Sequence, residues 1–375
     1  MTTTVLDTAT ALDTATALNT ATALDAATVP DAILEHYADF RGARSRPLGS
    51  GLINATFLVQ SPRGDKAVFQ RLHAIFAASV NEDIDEVTAH LAAKGMATPR
   101  LIRAACGARF VEDEAGRVWR ALTFVEGECV DRLTSAAQAS EAAALVARFH
   151  AALGDFARPF APAREGVHDL GRHLDTLRRA MAAHSKHRLR AEVERLSGEI
   201  FEVAERLPSF DAMPLRVCHG DLKISNVMFR GDRAHCLVDL DTVGLQRWPL
   251  EMGDALRSWC NRAGEDDPEA AALDEALFAA AVEGYFGTEG ARELLSAGEK
   301  GGLVDGLAFI CLELTSRFAA DALNESYFGF DARRFAAAGE HNLLRARGQW
   351  RLFQDVRQKQ GRLERLAARA SGLSA

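Results

Sequence analysis

The sequence predicts an α+β protein of two lobes, a small β-rich one followed by a large, mainly helical one. Three observations carry this. Residues 47–125 read as short alternating strands interrupted by one helix. From residue 135 onward, long Ala/Leu/Arg-rich segments with helical spacing take over. One stretch of strand character, 215–241, breaks into that helical half. A chain of 375 residues, 48% of them hydrophobic, is long enough for two such lobes and a sizeable buried core.

Taken in order, residues 1–29 form a low-complexity tail in which the unit TATAL followed by Asp or Asn occurs three times between Thr8 and Asp25. Ala/Thr repeats cannot build a core alone, so the tail is expected to be disordered. It lacks the basic start and compact apolar run of a signal peptide. Order is expected from Pro30, with a short amphipathic helix over 31–40. Strands follow over 54–60 and 67–72, joined by a turn at 62–64. Ile84, Val87 and Leu91 set a helix over 81–94. Two further strands, 108–112 and 118–125, complete a lobe of residues 30–125. Residues 126–375 make the second lobe, with helices expected over 135–154, 171–207, 267–286, 291–324 and 341–370.

Composition narrows the function. A net charge of −8 argues against a nucleic-acid partner, which would want a basic face. No apolar run is long enough to span a membrane. The six cysteines form no C-x-x-C pair, so neither a zinc site nor a disulfide framework is indicated. They read as reduced core residues, which places the chain in the cytoplasm.

The chemistry concentrates in residues 217–241. Residues 227–230 and 234–238 are apolar and strand-like, and Gly231, Asp232 and Arg233 can turn between them. The hairpin brings its ends, Asn226 and Asp239, side by side. Asp221 lies five residues before Asn226, in the loop leading in. One segment thus gathers Asp221, Asn226, Asp239 and Asp241. Phosphoryl transfer needs such a set: a group to orient and deprotonate the attacking hydroxyl, and oxygen ligands for Mg²⁺. Asp221 suits the base, Asn226 and Asp239 the metal, and Lys223 the γ-phosphate. The string is the H-x-D-x-x-x-x-N pattern followed by a metal-binding Asp. A metallohydrolase would want more histidines at close spacing, and His235 sits mid-strand instead. His219 is expected to brace the loop. The two-lobe layout is that of protein-kinase-like folds, with a hinge at residues 124–127.

At this point the sequence resembles the aminoglycoside phosphotransferase and choline kinase superfamily, and within it the N-acetylhexosamine 1-kinase branch. The matching strings are QRL at 70–72, WRALTFVEG at 119–127, HGDLKISN at 219–226, VDLDTV at 238–243, GDALR at 253–257, RF at 317–318, YF at 327–328 and HNL at 341–343. The resemblance implies ATP and Mg²⁺ as cofactors and Asp221, Lys223 and Asn226 as the catalytic set. It implies Asn226, Asp239 and Asp241 as metal ligands. Gly49, Ser50, Gly51 and Asn54 would cover the triphosphate, with Gln70, Arg71 and Glu126 also on the nucleotide side. Arg317 and Tyr327 would contact the acceptor sugar, and Asp254 would brace the catalytic loop.

One departure stands out. Kinases carry a lysine on the third strand, and here that strand offers Gln70 or Arg71. Alternation puts the two on opposite faces, so only one can serve. Its helix partner would be Glu82 or Glu86. Other features have plainer readings. His168 and Asp169 precede a helix and read as a cap or a surface pair. Trp248, Trp259 and Trp350 read as packing residues. Arg317 lies one helical turn from Glu313, so a local ion pair competes with an acceptor role. The expected activity is transfer of a γ-phosphate to the anomeric hydroxyl of an N-acetylhexosamine-like sugar. An aminoglycoside, an amino alcohol or choline is the alternative acceptor. A catalytically inactive binding module is the remote one, and the intact base and metal ligands speak against it. The sequence leaves oligomeric state and the purpose of the tail open.

Overall fold

The first sheet is built on alternation. In its second strand Phe57 and Val59 are buried while Thr56 and Leu58 are half-buried, and in its third Ala67 and Phe69 are buried. These residues belong to a computed structural model that describes residues 28–48, 54–160 and 168–373. The repeat tail and Gly49, Ser50 and Gly51, which were expected to cover the triphosphate, lie outside the described residues.

Two compact units divide the chain, one running to Ala89 with Pro99–Val125, the other comprising His90–Thr98 and Glu126–Ala375. The first unit begins with helix α1 (Asp31–Leu34), followed by a 3-10 turn, Ala38–Phe40. Its strands are β1 (Arg44–Pro47), β2 (Ala55–Gln60), β3 (Lys66–Arg71), β4 (Leu101–Ile102), β5 (Val111–Glu112) and β6 (Val118–Thr123), with helix α2 (Val80–Ala93) after β3. The sheet is antiparallel, in the order β1-β2-β3-β6-β4, with β5 on the other end of β6. Ile33, Leu34, Tyr37 and Phe40 pack with Phe57, Val59, Ala67, Phe69 and Trp119 into one core. Tyr37 meets Phe69 edge-on at 5.0 Å, a favoured aromatic geometry. The other face of the sheet carries a polar row, described below.

The second unit holds helices α3 (Ala136–Ala152), α4 (Leu170–Ala183), α5 (Arg190–Ala204), α6 (Trp248–Trp259), α7 (Glu275–Gly287), α8 (Ala291–Leu294), α9 (Ala297–Gly301), α10 (Leu303–Asn324) and α11 (Ala338–Ser371). Its strands are β7 (Glu128–Cys129), β8 (Leu215–Cys218), β9 (Val227–Arg230), β10 (Arg233–Leu237) and β11 (Gly244–Arg247). Strand β9 pairs with both β10 and β7, and β8 pairs with β11. Helix α10 is buried on nearly every side. Helix α6 crosses it so closely that a Cβ on Gly253 would lie 2.5 Å from the Gly306 carbonyl oxygen. Only glycine permits that approach.

Several expected helices break. The segment expected over 171–207 divides into α4 and α5, with a turn at 184–189 that contains neither Gly nor Pro. Helix α7 starts only at Glu275, where Asp274 accepts hydrogen bonds from the amides of Ala276 and Leu277. The segment expected over 291–324 stops at the Ser296–Glu299 capping box and again at Gly302. Helix α6 was not expected, although Pro249 in its first turn is a start signal. Cys106 and Cys129 are exposed, against the expectation of core thiols, and the other four cysteines are buried. Among the described residues, no helix is long and apolar enough to cross a membrane.

Candidate active site

The hairpin forms as read. Strand β10 returns antiparallel to β9, and the Val238 amide donates to the Asn226 carbonyl at 3.0 Å, which fixes the two ends side by side. Asn226 donates its side-chain amide to the Asp221 carbonyl at 2.8 Å and to Asp221 Oδ2 at 3.1 Å. That commits the nitrogen and leaves the side-chain oxygen for a cation. Lys223 Nζ donates to the same Oδ2 at 2.5 Å. Burial works against the Lys223 ammonium, but Asp221 and Asp239 more than offset it and hold its pKa up.

Asp239 follows the hairpin in a left-handed conformation, φ 64° and ψ 58°. The turn points the chain into the Leu240–Thr242 3-10 turn that carries Asp241. Burial, then the charge of Asp241, push the Asp239 carboxyl up to about 6. Asp239 and Asp241 thus share a region where negative charge is already in excess, and Asn226 stands at the other end of the same hairpin. Such an oxygen set suits a hard divalent cation, whose charge would relieve the repulsion. The residues present fit the metal that the sequence implies.

Helix α6 holds the loop of residues 219–226 from behind. Glu251 accepts the amides of His219 at 2.7 Å and Gly220 at 3.0 Å. Two turns on, Ser258 Oγ accepts the Ile224 amide at 3.0 Å, and the Trp259 indole donates to the Leu222 carbonyl at 2.8 Å. Positions 251, 258 and 259 share one helical face. His219 donates through Nε2 to the Val238 carbonyl, 2.9 Å away, the bracing role expected of it. Gly220 sits at φ +84°, and a Cβ there would meet the Thr242 carbonyl at 2.4 Å.

Asp254 is not the brace. Its carboxylate takes Arg257 at 2.8 Å, and it lies within the fields of His168 and Lys223. Glu251 does the bracing, three residues earlier on the same helix. Behind Glu251 stands His150, with Nε2 3.5 Å from the carboxylate and no hydrogen-bond partner. Glu251 was missed because its contacts are 31 and 32 residues away in sequence. The available signal was an acid buried on the face of an apolar helix.

The sequence-selected acceptor residues are placed as follows. Arg317 pairs with Glu313 at 3.4 Å, the local ion pair that competed with an acceptor role. Its guanidinium also lies over the rings of Tyr327 and Phe328, at 5.9 and 5.5 Å. Tyr327 is 38% exposed rather than core. Asp321 accepts the amides of Ser326, Tyr327 and Phe328 and so fixes the segment that presents the ring. His168 is no surface pair. Its Nδ1 donates to the carboxylate of buried Glu313, 3.0 Å away, while Asp169 caps α4. Burial lowers the His168 pKa, but Glu313 and then Asp254 raise it further. The Arg317–Glu313 cluster thus connects electrostatically, through His168 and Asp254, to Lys223. A cavity of about 190 Å³ opens beside Lys223, lined also by Ser225, Arg257, Ser258 and Asn261.

In the first unit, Gln70 and Arg71 point to opposite faces as alternation requires. Arg71 lies on the core face, 5.9 Å from the Trp119 ring, and is not on the face of the polar row. Gln70 lies on that row, bonded to Thr56 and Arg120. Asn81 at the start of α2 lies 3.4 Å from Arg120 on the same row, and Glu86 lies 3.6 Å from Arg109. Asn54 Oδ1 accepts the His73 amide at 2.9 Å. The Glu126 carbonyl accepts from Arg230 at 3.1 Å, within the second unit.

Comparison with known proteins follows the same line. Homoserine kinase of Methylobacterium nodulans is 31% identical over 173 residues, 46% of this chain and 50% of that one. The chain therefore spans half the length of that relative. Homoserine kinase of Methylocella silvestris is 24% identical over 62% of this chain and 70% of its own. Among solved structures, a microcompartment-associated aminopropanol kinase superposes with a TM-score of 0.61 at 18% identity, over 89% of this chain and 97% of that one. An amicoumacin kinase in complex with AMP-PNP, Ca²⁺ and Ami gives 0.55 at 15% identity, over 94% of each. At these identities the likeness is one of fold: a small antiparallel sheet followed by a helical part. The model of the phosphotransferase enzyme family matches residues 44–294, a span that contains the sheet, the catalytic hairpin and the helix that braces it, and the chain belongs to that family.

Proposed function

We propose that this chain is an ATP- and Mg²⁺-dependent kinase that moves the γ-phosphate onto a hydroxyl of a small polar metabolite. The observation that carries this reading is the Asp221 carboxylate, held by Lys223 and Asn226 at the mouth of a hairpin whose far end is Asp239. A carboxylate so fixed orients the acceptor hydroxyl and takes its proton as the new O–P bond forms. The bond from the γ-phosphorus to the bridging oxygen breaks, and ADP leaves. Lys223, tied to Asp221, supplies positive charge to the transferring group. Asn226, Asp239 and Asp241 would hold the divalent ion, which neutralises phosphate charge when bound. The AMP-PNP and Ca²⁺ in the amicoumacin kinase complex support a nucleotide and a divalent metal here. Asn54 and Gln70 are assigned to the nucleotide side, and four buried free thiols favour a cytoplasmic enzyme.

For the acceptor, the sugar-kinase strings support the anomeric hydroxyl of an N-acetylhexosamine. Arg317 and exposed Tyr327 supply a hydrogen-bonding fork and an apolar face for it. A second reading is the primary hydroxyl of homoserine or a similar amino alcohol, supported by the names of the relatives and by the mixed charges near Lys223. The test is ATP consumption across N-acetylhexosamines, free hexoses, homoserine, amino alcohols and aminoglycosides, with phosphorus NMR of the product. An anomeric phosphate supports the sugar, and a phosphomonoester of homoserine supports the second reading. Turnover of none of them, with no ATP hydrolysis, would sink the kinase proposal.

A further inference from the structure

Behind the loop that carries Asp221, helices α3, α6 and α7 close on one imidazole. His150 of α3, Tyr285 of α7, and Trp248 and Glu251 of α6 are all buried. Their hydrogen bonds can be ordered from one end, because an indole nitrogen only donates. Trp248 Nε1 donates to the Tyr285 hydroxyl at 2.8 Å. Among the described residues, the other partner of that hydroxyl is His150 Nδ1, also at 2.8 Å. Trp248 offers no acceptor, so the hydroxyl proton goes to Nδ1, and the ring's own hydrogen is on Nε2. Nε2 is buried without a hydrogen-bond partner and stands 3.5 Å from Glu251 Oε1. An N–H is therefore aimed at the carboxylate that accepts the amides of His219 and Gly220, at 2.7 and 3.0 Å. The Cys218 sulfur lies within 4.8 Å of both groups, and burial keeps it a neutral thiol that brings no charge.

We propose that His150 is a positioning residue for phosphoryl transfer: its Nε2–H fixes Glu251, and Glu251 fixes the loop that presents Asp221. The inference rests on the reading of Asp221 as the base. A buried carboxylate stays ionised only where donors surround it. Two of the donors to Glu251 belong to the loop itself, so they move with it and cannot hold the acid against it. His150 approaches from another helix and ties Glu251 to the body of the fold. At 3.5 Å the contact is an ion–dipole one, longer than an ordinary hydrogen bond. Trp248 starts the chain of contacts and Glu251 ends it, one turn apart on α6. Helix α6 thereby sets the ring that orients its own acid. Gly220 is packed against the Thr242 carbonyl, and Asp221 follows it directly, so a shift of Glu251 passes to the base.

The test uses the full chain, wild type and two variants. His150→Gln puts an amide N–H near the place of Nε2, and His150→Asn fills only the place of Nδ1. Both delete the ring, so a ring needed only for packing predicts equal losses. Positioning predicts a split. With Mg·ATP and the panel acceptor that the wild type phosphorylates, His150→Asn should lower kcat about 10- to 100-fold, with both KM values within about twofold. His150→Gln should stay within about fivefold of the wild-type kcat. In the wild type, nitrogen NMR of the imidazole should find the hydrogen on Nε2. Equal kcat in the two variants, or a loss carried by KM alone, overturns the inference, and so does a hydrogen on Nδ1. Should His150→Asn not fold, the NMR result and the kcat of His150→Gln decide in the same way. A wild type that phosphorylates nothing on the panel would instead remove the proposed function, and this inference with it.

Discussion

A carboxylate becomes a base by where its oxygens are committed. Asp221 has one oxygen shared by Lys223 and Asn226, so its orientation is set before any substrate arrives. Asp221→Asn keeps the shape and removes the basicity. Turnover should fall by about 10²- to 10⁴-fold, while the ATP dissociation constant changes little. Wild-type turnover at saturating substrate would rule the base out. The metal assignment predicts a different pattern. Asn226→Ala and Asp239→Ala should each weaken metal activation, and the double variant should cost less than the sum, because both act on one ion. Strict additivity of the two activation energies would count against a shared ion. These residues were legible in the sequence because they lie within about twenty positions of one another and a hairpin does the folding. Glu251 and His168 were not, because each finds its partner on another element, 32 residues away for Glu251 and 145 for His168.

Among the elements, α6 matters most. It supports the catalytic loop through Glu251, Ser258 and Trp259 and is itself pressed against α10. A Cβ on Gly306 would lie 2.1 Å from the Pro249 carbonyl oxygen, backbone that cannot rotate away. Gly306→Ala should therefore destabilise the protein by about 1–3 kcal/mol, despite the better helix propensity of alanine. It should also lower kcat by tilting α6 and the loop it holds. A melting temperature equal to or above wild type would show that the helices can part at no cost. The sequence hid this element for a physical reason. Trp248 and Pro249 follow a strand directly, and a proline there reads as a break before it reads as a first turn. The long helix α11, by contrast, was visible from its periodicity to within three residues at each end.

The molecule as a whole is acidic, yet four of its buried acids are held below their ordinary range. Burial raises Glu251, Asp254, Glu299 and Glu313, and basic or amide partners outweigh it in each case: His150 and the His219 amide, Arg257, Arg216, and His168. Their folded pKa values lie below the unfolded ones. The stability they contribute is thus present above the ordinary carboxylate range and lost as pH falls through the folded values. His168 has the opposite sign: its contribution is present below its unfolded pKa and lost as pH rises through the raised one. Urea midpoints should decline as pH rises past neutrality through the raised His168 value and fall steeply below about pH 4.5. Glu299→Gln should flatten that acid limb, since its bonds to Arg216 and Ser296 no longer depend on a proton. An acid limb unchanged in that variant would show that Glu299 contributes nothing to the fall. The two-unit order of sheet then helices was readable from periodicity, but this charge economy was not, because it arises only when helices far apart in sequence close over the same acids.

The left-handed backbone at Asp239 has an evolutionary consequence. A residue with a Cβ pays about 1–2 kcal/mol to stand at φ 64°, and this one also bears an unfavourable carboxylate beside Asp241. Selection for stability alone would replace it. Asn tolerates that conformation better and carries no charge. Asp239→Asn should therefore melt higher than wild type in the absence of metal, and should lose both turnover and the rise in melting temperature that Mg²⁺ confers. A variant that melts lower without metal would show that the position is not a stability liability. If it melts higher, stability and reaction pull in opposite directions at this one position, and a single Asp-to-Asn change would trade the second for the first.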